Sequence, residues 1–232
     1  MTRPPWARTL LGAALALALS VLTLTPARAA SAPVITWQGS ITDGASYVFG
    51  KVPAAPTCVA TEDLVPVACV VSGYDTAVGP HLLTATATAS DGVTTTVETR
   101  AYTVTPWTLK GFYKPVKMNT VNKVKAGSTV PLKFKVYQGA TKRKSTSVVS
   151  TLTAQKVECT TLAPLGSAVP VASAKKGFRL KYSSGAYHQN WKTPKLPKPV
   201  KVKGKKVVLP TCYQVVLTTD DGSSLTANFR LR

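Results

Sequence analysis

The chain has 232 residues, with 29 Lys or Arg against 9 Asp or Glu and a formal net charge of +20. That length allows one large or two small domains, and a positive balance this large points to anionic partners. Two histidines, His81 and His188, and four cysteines leave little material for histidine-based catalysis or a metal centre.

In chain order, the first thirty residues read as an export signal. Arg3 and Arg8 form a basic start, 10–24 is an uncharged Leu/Ala-rich run, and Pro26 precedes the small-x-small pattern Ala27-Arg28-Ala29. The run is shorter than the roughly 20 apolar residues a membrane span needs. Cleavage is therefore expected after Ala29, with Ala32 as the second site. The product is expected to be secreted, at most surface-associated, and without a transmembrane helix.

Cys58, Cys69, Cys159 and Cys212 are an even set in a chain bound for an oxidising compartment, so disulfides are the expectation. Their spacing favours Cys58–Cys69 and Cys159–Cys212, one bridge in each half. There is no C-x-x-C pair, which disfavours a metal site.

Residues 31–105 read as a first all-β module. Val34, Ile35 and Trp37 begin a strand, Asp43-Gly44 turns, and 47–49 returns. Cys58-Val59-Ala60 and 68–71 read as strands joined across Thr61-Glu62-Asp63. The stretch 81–90 alternates, Asp91-Gly92 turns, and 93–104 returns as a long hairpin arm. A linker is expected at 106–113, its aromatics packed at the junction. Charge switches there: 31–106 carries two basic and six acidic residues (net −4), while 107–232 carries 24 basic and three acidic (net +21).

The second module, 114–232, is organised around 122–137. After a turn at Ala126-Gly127-Ser128, Val130, Leu132, Phe134 and Val136 fall on one face, and Pro131, Lys133, Lys135 and Tyr137 on the other. Such alternation reads as a half-buried strand. Pro131 lacks an amide donor and belongs at the strand's start or on an edge. A basic, polar loop is expected at 141–147, a short strand at 157–159, alternation at 178–182, a turn at 183–185 and a strand at 187–193. A Pro/Lys-rich insertion at 192–206 is expected to be extended and mobile, with 207–209 re-entering the sheet. Cys212 to Thr218, Asp221-Gly222 and 225–231 form a terminal hairpin. Sustained 3.6-residue periodicity is missing, so the fold expected is two tandem Ig-like β-sandwiches.

Two resemblances sharpen this reading. Ile41-Thr42-Asp43-Gly44, Pro56-Thr57-Cys58, Cys69 to Tyr74, Gly79 to Ala87 and Tyr102-Thr103-Val104 resemble a bacterial Ig-like module of the kind strung along exported proteins. Gly111 to Val116, Asn122 to Gly127 and the motif Pro131-Leu132-Lys133-Phe134 resemble the PxKF domain. Val157-Glu158-Cys159, Tyr187, Asn190 to Thr193, Cys212-Tyr213, Asp221-Gly222 and Phe229 to Leu231 agree with it. The resemblance implies an exported module, mostly of actinobacteria, with no transferable activity. The matching residues, Pro131, Lys133 and Phe134 among them, then read as structural. The departure from the pattern is the basic insertion.

Functional candidates follow from side-chain chemistry. Neither His81 nor His188 lies near a Gly-x-Ser-x-Gly context. Asp43, Glu62, Asp63, Asp220 and Asp221 read as turn residues, so no catalytic residue and no cofactor is expected. Asp43, Asp63 and Asp91 would bind calcium only if their loops converged. The strongest candidates are Lys192, Lys195, Lys198, Lys201, Lys203, Lys205 and Lys206, with Lys142-Arg143-Lys144 and Lys175-Lys176 in other loops. Their bland reading is a solvated, repelling loop. Their functional reading is attraction to anionic wall polymers or polysaccharide, with charge neutralisation as the driving force. Lysines are point charges, and no DNA-binding motif accompanies them, which argues against sequence-specific nucleic-acid reading. Two rival classes are a hydrolase with a loop-built site and an adhesive protein using an aromatic patch of Trp107, Phe112 and Tyr113. The oligomeric state is not legible.

Overall fold

Alternation with a period of two dominates the chain, and it yields sheets packed on sheets. The computed structural model describes residues 30–171, 179–202 and 205–232. The signal segment and its cleavage site, Lys175-Lys176 and Lys203 lie outside the described residues. The fold is all-β and sandwich-like. Among the described residues the one helical element is a single 3₁₀ turn, Thr146–Val148.

The first six strands are β1 (Val34–Gln38), β2 (Ala45–Val48), β3 (Thr57–Glu62), β4 (Val65–Ser72), β5 (Gly79–Thr88) and β6 (Thr95–Thr105), in the order β1-β3-β4-β5-β6-β2. The sheet folds over on itself because β4 serves two layers. Its residues 65–67 pair with β3, and 68–72 pair with β5. Ile35 of β1 then packs with Ala60, Ala85 and Ala87, and Leu83, Tyr102 and Val104 fill the rest of the interior. The expected β5–β6 hairpin is present, with Asp91 accepting from the Val93 and Thr94 amides. The β3–β4 turn differs from expectation. Both strands run further than the residues 58–60 and 68–71 expected of them, and they meet in the two-residue turn Asp63-Leu64, where both φ angles are positive (48° and 68°). Continuing the Ala60↔Val67 register sets Cys58 opposite Cys69, and the two are bridged with Cα atoms 5.8 Å apart.

The remaining strands build two facing sheets. One contains β7 (Thr108–Gly111), β9 (Thr129–Gln138), β10 (Thr141–Lys142), β13 (Lys181–Ser183) and β14 (Ala186–Lys192). The other contains β8 (Val121–Val124), β11 (Val149–Val157), β12 (Val169–Pro170), β17 (Thr211–Thr219) and β18 (Ser224–Leu231). A separate two-stranded ribbon is formed by β15 (Val200–Val202) and β16 (Lys205–Val207). In β9, Val130, Leu132, Phe134 and Val136 are buried, as the alternation requires. They pack with Tyr187 of β14 and, from the opposite sheet, Leu152, Val215, Leu217 and Phe229. Pro131 lies beyond the last β7 pair, Gly111↔Phe134, so the strand is paired there only with β14, through Asn190. Cys159 is bridged to Cys212, the second of the two expected pairings.

Three local expectations are corrected. The strand expected at 157–159 is instead the nine-residue β11 ending at Val157: Leu152 and Ala154 alternate into the core, Val157 is buried at the strand's end, and Glu158 is consumed by the following turn. The linker expected at 106–113 shrinks to Pro106 and Trp107, since 108–111 is β7, which hydrogen-bonds to β9. The loop expected at 141–147 contains β10, which returns on β9.

The junction is built from side chains that belong to both halves. The Phe49 carbonyl accepts from Trp107 Nε1 at 3.0 Å and from Gln138 Nε2 at 2.7 Å. The rings of Phe49 and Trp107 meet edge to face at 5.4 Å, and the Arg143 guanidinium lies 5.5 Å from the Trp107 ring centre. Asp221, in the β17–β18 turn, accepts the Trp107 amide at 2.6 Å.

Candidate polyanion-binding surface

The basic insertion leaves the sandwich at a fixed root. Trp191 and Thr193 are buried. The Thr193 amide donates to the Ser128 carbonyl at 2.9 Å, and its hydroxyl donates to the carbonyls of Lys125 and Ser128. The Gly127 amide donates to the Pro194 carbonyl at 3.0 Å. Beyond this root, Lys192, Lys195, Lys198, Lys201, Lys205 and Lys206 are all exposed.

Within the insertion expected to be extended, residues 200–202 and 205–207 pair as the β15–β16 ribbon, while 193–199 form no strand. Val200 pairs with Val207, Lys201 with Lys206 and Val202 with Lys205. The alternation Val200-Lys201-Val202, followed by Gly204 and a second β-prone run, is a hairpin signal that outweighs the prolines upstream. Residues 207–209 do not re-enter the sandwich. Val207 ends β16, and Val208 and Leu209 are exposed, because Pro210 separates them from the β17 ladder. The Lys201↔Lys206 pair sets like charges directly opposite, which weakens the pairing.

A second basic region includes Lys133 and Lys135, the outward lysines of β9. It is the outer face of the β7–β9–β14–β13 sheet. Cross-strand registers place Lys133 opposite His188, His188 opposite Lys181, and Lys135 opposite Lys110. Each of these side chains lies on the face opposite to the buried Leu132, Phe134 and Tyr187. Lys110 and Lys142 approach the Tyr137 ring at 5.1 and 5.9 Å, and Lys135 approaches Tyr113 at 5.2 Å. At the β13–β14 end, Arg179, Lys181, His188 and Asn190 line a cleft of about 210 Å³. Arg179 and Lys181 also border a shelf of about 510 Å³ with Thr146, Ser147 and Leu180. The Arg179 amide is held by the buried Gln189 side chain at 2.9 Å. What hid this face was separation in sequence: the signal lay in alternation on each strand, and the register joins them.

The motif residues divide by face. Phe134 is fully buried and stacked on Tyr187 at 5.1 Å, and burial pushes the Tyr187 phenol up to about 12. Lys133 turns outward, while its carbonyl accepts the Tyr113 amide at 2.8 Å.

The acidic groups accept hydrogen bonds from within the fold. Asp43 accepts the Ala101 amide at 2.7 Å, Asp63 accepts the Ser31 hydroxyl at 2.9 Å, and Asp91 braces its own turn. Among the described residues, no three His, Cys, Asp or Glu side chains converge as a metal site would require, so the calcium idea has no geometry behind it. One Glu158 oxygen accepts from the hydroxyls and amides of Thr160 and Thr161, the Thr160 hydroxyl most strongly, and its carboxyl is held at about 2. Burial pushes the Asp221 carboxyl up, but donors from Thr219, Ser223 and the Trp107 amide outweigh it and hold the group below the ordinary aspartate range. In sequence, Asp221 signals only a turn. Its role across the junction depends on a contact 114 positions away and left no sequence signal.

The histidines engage carbonyls: His81 Nε2 meets the Ala77 oxygen at 2.6 Å, and His188 Nε2 meets the Ser183 oxygen at 3.1 Å. The aromatic patch proposed for adhesion does not form, because Trp107 and Phe112 are core residues and only Tyr113 reaches the surface. Among the described residues no helix is long and apolar enough to cross a membrane.

No protein-family model matches the chain, and no curated protein is similar to it in sequence. Solved structures that align with it include fibronectin(III)-like modules of Clostridium thermocellum CbhA (15% identity, 85% of this chain and 93% of that one, TM-score 0.25). They also include titin Ig tandem domains A164-A165 (13% identity, 88% and 99%, TM-score 0.25). A third is SGBP-B of the Bacteroides ovatus mixed-linkage glucan utilization locus, in complex with a mixed-linkage heptasaccharide (12% identity, 86% and 37%, TM-score 0.23). At these TM-scores the likeness carries no argument about this chain, and its fold class rests on its own sheets.

Proposed function

We propose that the protein is a non-catalytic extracellular binding module that docks to anionic polymers of the cell envelope through its basic C-terminal half. The observation that carries this is the charge split, −4 over residues 31–106 and +21 over 107–232. Like charges held on one folded unit repel, and a polyanion relieves that repulsion and releases its own counterions. Two disulfides suit an oxidising compartment, and the N-terminal signal pattern suits export. The first half, read as an Ig-like spacer, would hold the basic half away from its point of attachment. The PxKF resemblance fits an exported role and adds no activity.

The test is retention of the mature protein on isolated cell-wall sacculi and on a polyanion column across a salt series. Strong retention at low salt that falls steeply as salt rises is the expected result. Retention that ignores salt, or its absence at low salt, rejects the electrostatic reading.

A further inference from the structure

We propose that the outer face of the β7–β9–β14–β13 sheet, with the cleft between Arg179, Lys181, His188 and Asn190, is a docking site for a linear acidic polysaccharide. The β15–β16 hairpin adds only to the surrounding field. This rests on the reading of the basic half as a polyanion binder and names where, and for which polymer, that binding occurs.

Three observations carry it. First, the charges are fixed by sheet register. Lys133, His188 and Lys181 stand directly opposite one another across three strands, a row about 10 Å wide at the usual strand spacing. Lys135 and Lys110 form the next row. Two tyrosines steady the neighbouring ammonium groups. Side chains ordered before binding lose less entropy on binding than lysines on a two-stranded ribbon. Second, the sequences of β7, β9, β10, β13 and β14 contain no Asp or Glu. Nothing on these strands competes for the cations.

Third, the cleft is a donor site with a shelf beside it. Arg179 and Lys181 have no acceptor atoms, and with the Asn190 side-chain amide they suit a carboxylate or sulfate. The buried Gln189 side chain fixes the backbone that presents Arg179. The adjoining shelf offers the hydroxyls of Thr146 and Ser147 and the partly buried Leu180. That mixture matches the hydroxyl edge and C–H face of a sugar ring. A polymer with one acid per sugar repeats its charge at an interval comparable with the strand spacing.

Other polyanions fit less well. A membrane surface would call for exposed apolar side chains to insert, and none of the exposed large apolar side chains lies on these strands. Single-stranded nucleic acid is gripped by aromatic faces free to stack on bases, whereas the Tyr113 and Tyr137 rings here already carry ammonium groups.

The experiment compares two variants of equal charge loss in the mature protein. The face variant is Lys133→Gln, Arg179→Gln, Lys181→Gln. The hairpin variant is Lys201→Gln, Lys205→Gln, Lys206→Gln. Binding is measured by biolayer interferometry to polygalacturonate, dextran sulfate, neutral dextran and single-stranded DNA at two salt concentrations. The face variant is expected to lose at least about tenfold in affinity for the acidic polysaccharides, and the hairpin variant less than about threefold, a difference that bulk charge alone does not produce. Equal losses, or a larger loss in the hairpin variant, overturn the inference and leave the function intact. Tighter binding to DNA than to either acidic polysaccharide overturns the choice of polymer. No binding to any polyanion by the unmodified protein overturns the function itself. Should the triple face variant fail to fold, the single variants Arg179→Gln and Lys181→Gln, both at exposed positions, decide the same question.

Discussion

Replacing Asp221 by alanine tests whether one carboxylate ties the turn of the last hairpin to the start of the second module. Its two oxygens accept from the Trp107 amide at 2.6 Å, the Thr219 hydroxyl at 2.6 Å, and the Ser223 hydroxyl and amide at 2.7 and 3.3 Å. Thr219 keeps a second acceptor in the Ser223 carbonyl, and the Ser223 hydroxyl can turn to water. The Trp107 amide, on a buried residue, has neither escape. Stranding such a donor costs about 1–3 kcal/mol, and losing the remaining charge-assisted bonds raises the total to about 3 kcal/mol. That corresponds to a fall of about 6–12 °C in Tm for a chain of this size.

The effect depends on pH with a definite sign. The folded Asp221 carboxyl titrates below its unfolded value. Its stabilisation is therefore complete above the unfolded value, about 3.9, and is lost as the pH falls through the depressed folded value. Thermal melts followed by circular dichroism, from pH 7 down to about pH 2.5, should show the gap between Asp221→Ala and the unmodified protein closing in acid. A gap below about 2 °C at pH 7, or one that persists unchanged to the acid limit, would refute the reasoning.

Three further predictions concern the frame around the site. Leu64 is 92% exposed at a φ of 68°, so Leu64→Gly should stabilise the protein by about 1 kcal/mol by removing left-handed strain, read as a higher urea midpoint. A Cβ on Gly73, at φ +83°, would lie 2.1 Å from the Leu82 carbonyl oxygen; Gly73→Ala should therefore destabilise by at least about 2 kcal/mol, seen as a lower midpoint in the same titration. The bridges span 53 and 11 residues, so on the chain-entropy account the double Cys→Ser variant at 159 and 212 should lose roughly 4 kcal/mol and that at 58 and 69 roughly 3. Calorimetric melts would check that order.

The part of this protein that sequence alone determined is the part written in local periodicity. Val130, Leu132, Phe134 and Val136 face the core because each apolar residue is separated from the next by one polar position, and a strand turns alternate side chains to opposite sides. Asp91-Gly92 and Asp221-Gly222 place their turns by the same local logic, and the cysteine spacing was enough for both bridges. The pairing of 200–202 with 205–207 was legible as well, in the alternation of Val200 and Val202 around Lys201, against the competing signal of the upstream prolines.

Tertiary structure alone decided which distant residues became neighbours. No local signal says that Trp107 will hand its amide to Asp221 and its indole to the Phe49 carbonyl, because such bonds depend on how two sheets dock. The same holds for Lys133, His188 and Lys181. Each was visible as one outward residue on one strand, and only the register of β9, β14 and β13 aligns them into a single row. Periodicity sets which way a side chain points, while pairing between strands far apart in the chain sets what stands beside it.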